Sequence, residues 1–374
     1  MKIHICPLCW LLLILLPAMI QAQRPVTITG TLLSAKDNSP VLYAHVYIPN
    51  TTYGTYSDEQ GNFTLEARVW ESFELVISQL EFEVTALNFS SDQSRIQLAT
   101  IRLQPRAYDL KEVVVTQDEN WARHYAIFIK NFIGTTPGAT QCKINNKLSL
   151  NFKYDKETDQ LIAWAYEPLL IENRHLGYRI RYDLVKFELE IGRSALIYTG
   201  FPAFEAITSK NKRQLRRWEK NRREAYQGSV MHFVRSLYHN TLSTEGFEPS
   251  EIAHQFRAQG EAVAVSATDA PVQRADIIRL DENEAAALCL QFNKRMKVRY
   301  YGAAEAFAYW QQNQSTVSSS EAPAKFQTSH LRLRDNNVVR IYSDGQVQDG
   351  VNLVLDGYFA WARIAQMLPY DYDR

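Results

Sequence analysis

The sequence predicts a mainly β protein with some α-helix: a small N-terminal β-sandwich, then an α+β domain with an antiparallel sheet. From Val26 to Phe89, short runs rich in Val, Ile, Tyr, Thr and Phe alternate with turn residues, the spacing of an all-β sandwich. From Lys147 to Phe204, alternating runs broken by polar turns read as an antiparallel meander of four or five strands. Segments near Trp121 and Ser229 instead repeat their apolar residues at helical spacing.

The chain opens MKIHICPLCWLLLILLPAMIQAQ, with one Lys, an apolar run from Leu8 to Leu16, Pro17, and small Ala22. That is the pattern of a secretory signal peptide over residues 1–22, too short and wrongly flanked for a membrane span. Cys6 and Cys9 lie before or inside the apolar run, which disfavours lipid anchoring. Removing the segment leaves 40 basic against 41 acidic residues, a balance that gives no support to a nucleic-acid partner. No later stretch approaches the roughly 18 to 20 apolar residues of a helical span, so the mature chain is expected to be soluble or peripherally attached. Cys142 and Cys289 remain in it, and the spacing is compatible with one disulfide or two free thiols.

In the first domain, residues 26–105, the turn within YGTYSDEQGNFTL has a mechanism. Asp58 can bond its own backbone downstream, Gly61 can take positive φ, and Phe63 and Leu65 alternate inward with Asn62 and Thr64 outward. Asp58 and Glu59 could be read as a calcium or sugar site. Adjacent acids in a hairpin turn are more often turn formers, and no further oxygen ligands follow at calcium-loop spacing.

Gly30, Pro40, the AHVYI run at 44–48, GTYSDEQGNFTL at 54–65 and LVISQLEFE at 75–83 carry a resemblance. Residues 26–104 resemble the carboxypeptidase-regulatory-like domain found in front of outer-membrane receptors and related envelope proteins of Bacteroidetes. The departure is Glu81-Phe82, where that family places a Gly-aromatic pair. The resemblance implies a seven-stranded, transthyretin-like sandwich without catalytic residues of its own.

Residues 106–120 form a linker, and YDLKEVVVT at 108–116 resembles the segment that joins this sandwich to the plug of TonB-dependent receptors. Only 258 residues follow Thr116. A plug and a barrel of about 22 strands, at about 9 to 11 residues each plus loops, do not fit in that length.

Residues 121–374 then read as the α+β domain. Asn120 can cap a helix whose stripe is Trp121, Tyr125, Phe128, Ile129 and Phe132, ending at Gly134. KLSLNFKYD and QLIAWAYE flank the turn Lys156 to Asp159, and the long run LGYRIRYDLVKFELEI changes its apolar face near Leu184, which predicts a bulge. A strand at Ala195 to Tyr198 and a turn at TGFPAF follow. Ser229 caps a second helix with Met231, Val234, Leu237 and Tyr238 at core spacing. The Ser- and Gln-rich run at 311–324 is a loop, a hairpin crosses Asp335 to Asn337, and a further turn spans Ser343 to Gln346. Phe359, Trp361, Ile364 and Leu368 suit a short amphipathic helix ended by Pro369.

EPLLIENRHLGYRIRY at 167–182, RRWEKNRREAYQGSVMHFVRSLY at 216–238 and GYFAWARIAQMLPYDY at 357–372 are similar to the C-terminal part of Bacteroidetes proteins that carry the regulatory-like domain in front. This implies location and architecture, and no activity.

Candidate ligand-binding residues are Arg235, His232 and His239. The two histidines stand seven apart, not the three or four of a helical metal pair, so no metal is expected. A basic patch comprises Arg213, Arg216, Arg217, Arg222 and Arg223, whose neutral reading is a solvated helix face and whose functional reading is a site for phosphates or an acidic partner. QGSVM lacks the second Gly of G-x-S-x-G, and neither H-E-x-x-H nor an embedded nucleophilic Cys motif occurs. No catalytic residue and no cofactor are therefore assigned. The sequence reads as a non-catalytic envelope protein, of the periplasm or outer-membrane periphery, that binds a protein partner or a glycan. The alternative is a peptidase-like envelope hydrolase with a noncontiguous site in residues 121–374. Export with cleavage after Ala22 predicts an intact mass starting at Gln23; an exported protein retaining Met1 would refute it.

Overall fold

The computed structural model describes residues 23–69, 72–90, 93–106, 120–252, 270–313 and 322–373. The expected signal peptide, the run at 108–116 and residues 314–321 of the expected Ser-rich loop lie outside them.

The first domain contains β1 (Arg24–Ser34), β2 (His45–Tyr47), β3 (Gly54–Tyr56), β4 (Asn62–Val69), β5 (Ser72–Ser78), β6 (Thr85–Ser90), β7 (Arg95–Gln97) and β8 (Ile101–Leu103). One sheet has the order β4-β1-β7, with β8 also on β1; the other is β3-β2-β5-β6. Strict alternation in β4 turns Phe63, Leu65, Ala67 and Val69 inward, against Ile28, Leu32, Val46, Leu75 and Ile77. The described strands number eight where seven are expected. β7 and β8 run parallel to successive stretches of β1, Thr27–Thr29 and Leu32–Ser34, so two short runs occupy positions along one strand.

The turn at 57–61 is not a hairpin, because β3 pairs with β2 while β4 pairs with β1. It is the corner at which the chain changes sheets. Asp58 Oδ1 accepts from the amides of Gln60 and Asn62 at 2.9 and 2.8 Å. Gly61 has φ 78°, and a Cβ there would meet the Leu32 carbonyl. Asp58 and Glu59 are exposed, and Asp58 forms the turn.

The chain continues through α1 (Trp121–Phe132), β9 (Cys142–Ile144), β10 (Leu150–Asp155), β11 (Gln160–Ala165), β12 (Leu169–Asn173), β13 (Tyr178–Glu190) and β14 (Ala195–Ala206). β11 and β12 pair with opposite ends of the long β13, and β14 pairs along its whole length. Phe128 and Phe132 of α1 pack on Phe152, Tyr182 and Phe187 of this sheet. The helix stands where its stripe predicts, although the Asn120 side chain makes no cap bond. The register of β13 against β14 shifts between Leu184 and Lys186, the expected bulge, leaving Val185 exposed while Phe187 and Leu189 return to the core. TGFPAF is not a turn: β14 runs through it, with Gly200 opposite Leu184 and so close to Tyr182 that a side chain there would clash.

Next come α2 (Lys212–Tyr226), α3 (Val230–Tyr238), β15 (Phe247–Ile252), β16 (Ala270–Pro271), α4 (Arg274–Ile277), β17 (Ile278–Leu280), β18 (Leu288–Leu290), β19 (Arg295–Tyr300) and α5 (Phe307–Asn313). The last elements are β20 (Gln327–Leu333), β21 (Val339–Ile341), β22 (Val347–Gln348), β23 (Leu353–Gly357) and α6 (Tyr358–Trp361). They form a sheet β16-β15-β19-β20-β23 and a second one β17-β18-β21-β22 around a shared core with Phe233, Val234 and Leu237 of α3. Ser229 caps α3 as expected, accepting from the His232 amide.

Residues 335–337 do not close a hairpin, since β20 and β21 belong to different sheets. A 3-10 turn with Asp335 at φ 52° carries the chain between them. The turn at 343–346 does join β21 to β22. The expected C-terminal helix is two pieces, α6 and a 3-10 turn at Ile364–Gln366, with Phe359, Ile364 and Leu368 buried. Cys142 and Cys289 are free thiols on different sheets, and burial pushes the Cys142 thiol up to about 12. No helix among the described residues is long and apolar enough to cross a membrane.

The sandwich meets the β13–β14 hairpin along a specific seam. The Thr51 carbonyl accepts from the Phe204 amide at 2.9 Å, and the Asn50 carbonyl accepts from the Tyr370 amide at 2.7 Å. Behind them the buried Asp183 carboxylate accepts from Tyr47 Oη at 2.8 Å and from Ser78 Oγ at 2.7 Å. His45, stacked between Tyr47 and Tyr56, is held down to about 3 by burial and by Arg181. Native His45 therefore stays neutral while the unfolded chain binds a proton below about 6.5, so its contribution to stability is lost as pH falls from 6.5 toward 3. Urea unfolding at neutral pH and at about pH 4 should show wild type losing on the order of 2 kcal/mol more than His45→Phe. Equal losses would refute the assignment.

Candidate functional site

Of the three candidate ligand-binding residues, the fold brings Arg235 and His239 to one cleft and buries His232 apart from it. His232 is buried among the rings of Tyr226, Phe247 and Tyr300. Its Nδ1 accepts from the Gly228 amide at 3.2 Å, so Nε2 carries the proton and donates to Glu245 at 3.0 Å. Ser229 Oγ is engaged by the His232 amide and not by the ring, so no nucleophile completes that pair. Arg235 donates to the carbonyl of Asp344 at 2.8 Å and to those of Tyr370 and Tyr372 at 3.0 Å. It ties the C-terminal segment to α3. His239 is exposed at the end of α3. Arg235 and His239 border a cleft of about 590 Å³ between the sandwich, which supplies Tyr53 and Arg68, and the C-terminal residues Asp371 and Asp373.

The basic patch is also divided. Arg213, Arg216, Arg217 and Arg223 are exposed on α2, Arg223 within 3.7 Å of Glu219. Arg222 turns inward, donating to the carbonyls of Leu176 and Gly177 and lying 4.0 Å over the Tyr178 ring. Among the described residues no group of three His, Cys, Asp or Glu side chains could hold a metal ion.

A second open cleft, about 550 Å³, has the composition of a ligand site and was not legible beforehand. Its floor is aromatic: Tyr309 and Trp310 from α5 and Trp361 from α6. The Tyr309 and Trp361 rings stand 5.4 Å apart at 64°, and Tyr358 braces both at 5.0 and 5.2 Å. Gly357 makes this possible, because at φ 70° a Cβ would come within 2.7 Å of the Thr328 carbonyl. The chain can therefore turn directly from β23 into α6. Trp361 Nε1 donates to Thr135 Oγ1 at 3.0 Å, and Thr135 Oγ1 donates to Gln312 Oε1 at 2.8 Å, which holds the indole against the end of α1.

Carboxylates and donors ring this floor. Asp356 pairs with Arg295 at 2.6 Å, and Glu305 Oε2 accepts from the Ala324 amide at 3.3 Å. Burial, then Glu305 and Asp356, push the Tyr309 hydroxyl up to about 12, so it remains a donor at neutral pH. Lys130, Asn131, Gln312 and His330 complete the rim. One signal for this site lies in the sequence: FAYWQQN and GYFAWAR place aromatic residues on more than one side of very short helices, which a single buried face cannot absorb.

Residues 28–115 match the family model of the CarboxypepD_reg-like domain. The N-terminal sandwich is a CarboxypepD_reg-like domain. The match reaches past the boundary expected at 105 into the segment read as a linker, and the described strands β1 to β8 of the CarboxypepD_reg-like domain all lie in or overlap it. Among solved structures, a DUF3823 family protein from Bacteroides ovatus is 11% identical, covering 50% of this chain and 83% of that one at a TM-score of 0.17. A Bacteroides uniformis protein described as a candidate for carbohydrate binding is 10% identical, over 50% and 75% of the two chains, at 0.18. A DUF3823 family protein from Parabacteroides merdae is 8% identical, over 52% and 86%, at 0.17. Likenesses at such scores carry no argument about the site. No curated protein matches the chain.

The three carbonyls on Arg235 make it a structural tie. Arg235→Ala should cost about 2 kcal/mol and speed amide exchange over residues 370–372, whereas His239→Ala should leave both unchanged. Unaltered exchange in Arg235→Ala would refute this role.

Proposed function

We propose that this chain is an exported, non-catalytic cell-envelope protein that binds a glycan in the groove floored by Tyr309, Trp310 and Trp361. The observation that carries the reading is the joint presence of an aromatic floor and a rim of carboxylates, amides and cations in one open cleft. A sugar offers flat C–H faces that rest on aromatic rings, and hydroxyls that each donate and accept. Asp356 and Glu305 can accept from such hydroxyls, while Arg295, Asn131 and Gln312 can donate. The same rim does not favour hydrolysis. Asp356 Oδ2 is already engaged by Arg295 at 2.6 Å, which commits it to an ion pair within the rim. The sandwich meets the C-terminal part through the Asp183 seam, and none of its described residues lines the groove.

The test is calorimetric titration of the full mature chain with envelope and dietary oligosaccharides, read in parallel by tryptophan fluorescence. At least one saccharide should bind saturably, and Trp310→Ala and Trp361→Ala should each weaken it about tenfold, ~1.4 kcal/mol, without loss of fold. Trp310→Ala and Trp361→Ala variants that bind as wild type, or a panel with no binder, would refute the groove as a glycan site.

A further inference from the structure

A third cleft, distinct from the aromatic groove, lies where the core of the β13–β14 sheet meets that of the β20–β23 sheet. It encloses about 280 Å³ and is lined chiefly by Met231, Val347, Leu353, Leu355, Phe359 and Met367. Well-packed interiors leave few voids of this size, so the seam between the two cores is not closed by its own side chains. Two of the six walls are methionines, whose unbranched thioethers adapt to irregular apolar guests.

Two of the polar side chains that border the cleft are already engaged. Ser229 Oγ holds the His232 amide, and Gln366 Nε2 donates to Thr136 Oγ1 at 3.2 Å. Arg363 differs. Its guanidinium carbon lies 5.9 Å from the Tyr198 ring centroid, and among the described residues it has no hydrogen-bond or ion-pair partner. Its position is nonetheless set. The Ala365 amide donates to the Ile133 carbonyl at 3.1 Å, and a Cβ on Gly134 would come within 2.9 Å of Arg363 Cβ. A half-buried cation on an anchored stretch of backbone thus stands at the border of an apolar cavity, with no anion beside it among the described residues.

We propose that this cleft binds a single-chain amphiphile: one acyl chain in the apolar cavity, with its anionic head group on Arg363. At ~30 Å³ for a water-sized group, the cavity takes an acyl segment of about nine such groups. Burial of each methylene favours binding, and the guanidinium supplies a planar, bidentate partner for a carboxylate or phosphate. The charge on Arg363 is what selects an anionic amphiphile over a neutral alkyl chain or an apolar side chain of another protein. Arg363 also borders the aromatic groove, but the six apolar walls do not, so this inference stands or falls independently of the glycan reading.

The experiment is displacement of a fluorescent apolar probe from the full mature chain by decanoate, decyl phosphate and decanol. Decanoate or decyl phosphate should displace it saturably, the tighter of the two identifying a carboxylate or a phosphate head, and decanol should be about tenfold weaker. Arg363→Ala should reduce the anions to the level of decanol, and Leu355→Trp, which fills a wall that is only half-buried, should weaken all three. Thermal melting checks that both variants fold, and Arg363→Ala alone decides the head-group assignment if Leu355→Trp does not. Decanol binding as tightly as the anions, an Arg363→Ala variant indistinguishable from wild type, or the absence of saturable displacement would each overturn the proposal. Dimerisation of the chain in place of probe binding would also overturn it.

Discussion

The Asp183 carboxylate sits where the CarboxypepD_reg-like domain meets the long β13–β14 hairpin, and the relation of the two parts depends on it. A carboxylate taken out of water is costly unless its oxygens are matched. Both are matched from the other side of the seam, one by Tyr47 and one by Ser78. Burial still pushes the carboxyl above its ordinary value of 3.8, so the arrangement adds less to stability than to uniqueness of position. Any slip of the sandwich along the hairpin would leave a buried charge facing apolar Val76 and Ala203. The neutral His45 beside it belongs to the same constraint, because a second cation next to Arg181 would be unfavourable there.

With the sandwich docked in this way, the loop at 48–52 reaches both β14 and the C-terminal segment. Arg235 then gathers three carbonyls from two distant stretches onto α3. Two of the residues singled out in the sequence, His232 and Arg235 on one helix, are spent on satisfying internal polar groups. His232 satisfies the Gly228 amide and Glu245; Arg222 satisfies two carbonyls of the turn between β12 and β13. What stays open lies elsewhere, in crevices between the sheets, where no single element could bury all its aromatic and apolar surface.

Much of the architecture was legible because it depends on local periodicity and turn chemistry. The alternation of β4, the bulge after Leu184, the Ser229 cap and the stripe of α1 all stand where the residues place them. The errors share one cause. The turns at 57–61 and 335–337 look like hairpins, yet each carries the chain from one sheet to another, and TGFPAF looks like a turn yet is strand. Turn residues announce a change of direction. They do not say which strand will be the partner, because pairing is decided by contacts distant in sequence.

By itself, then, the sequence determined the fold class and the places of the first strands, which follow from spacings of two and of three to four residues, and its motifs carried the resemblance that identified the N-terminal domain. Only the tertiary structure decided which polar residues are internal ties and which face open space. Tyr309, Trp310 and Trp361 come from segments about fifty residues apart, and Arg363 is brought beside Tyr198 from far along the chain. The aromatic surplus of FAYWQQN and GYFAWAR marks surface that needs a partner, but which partner it meets is made by sheets packing against one another and not by the elements that carry the residues.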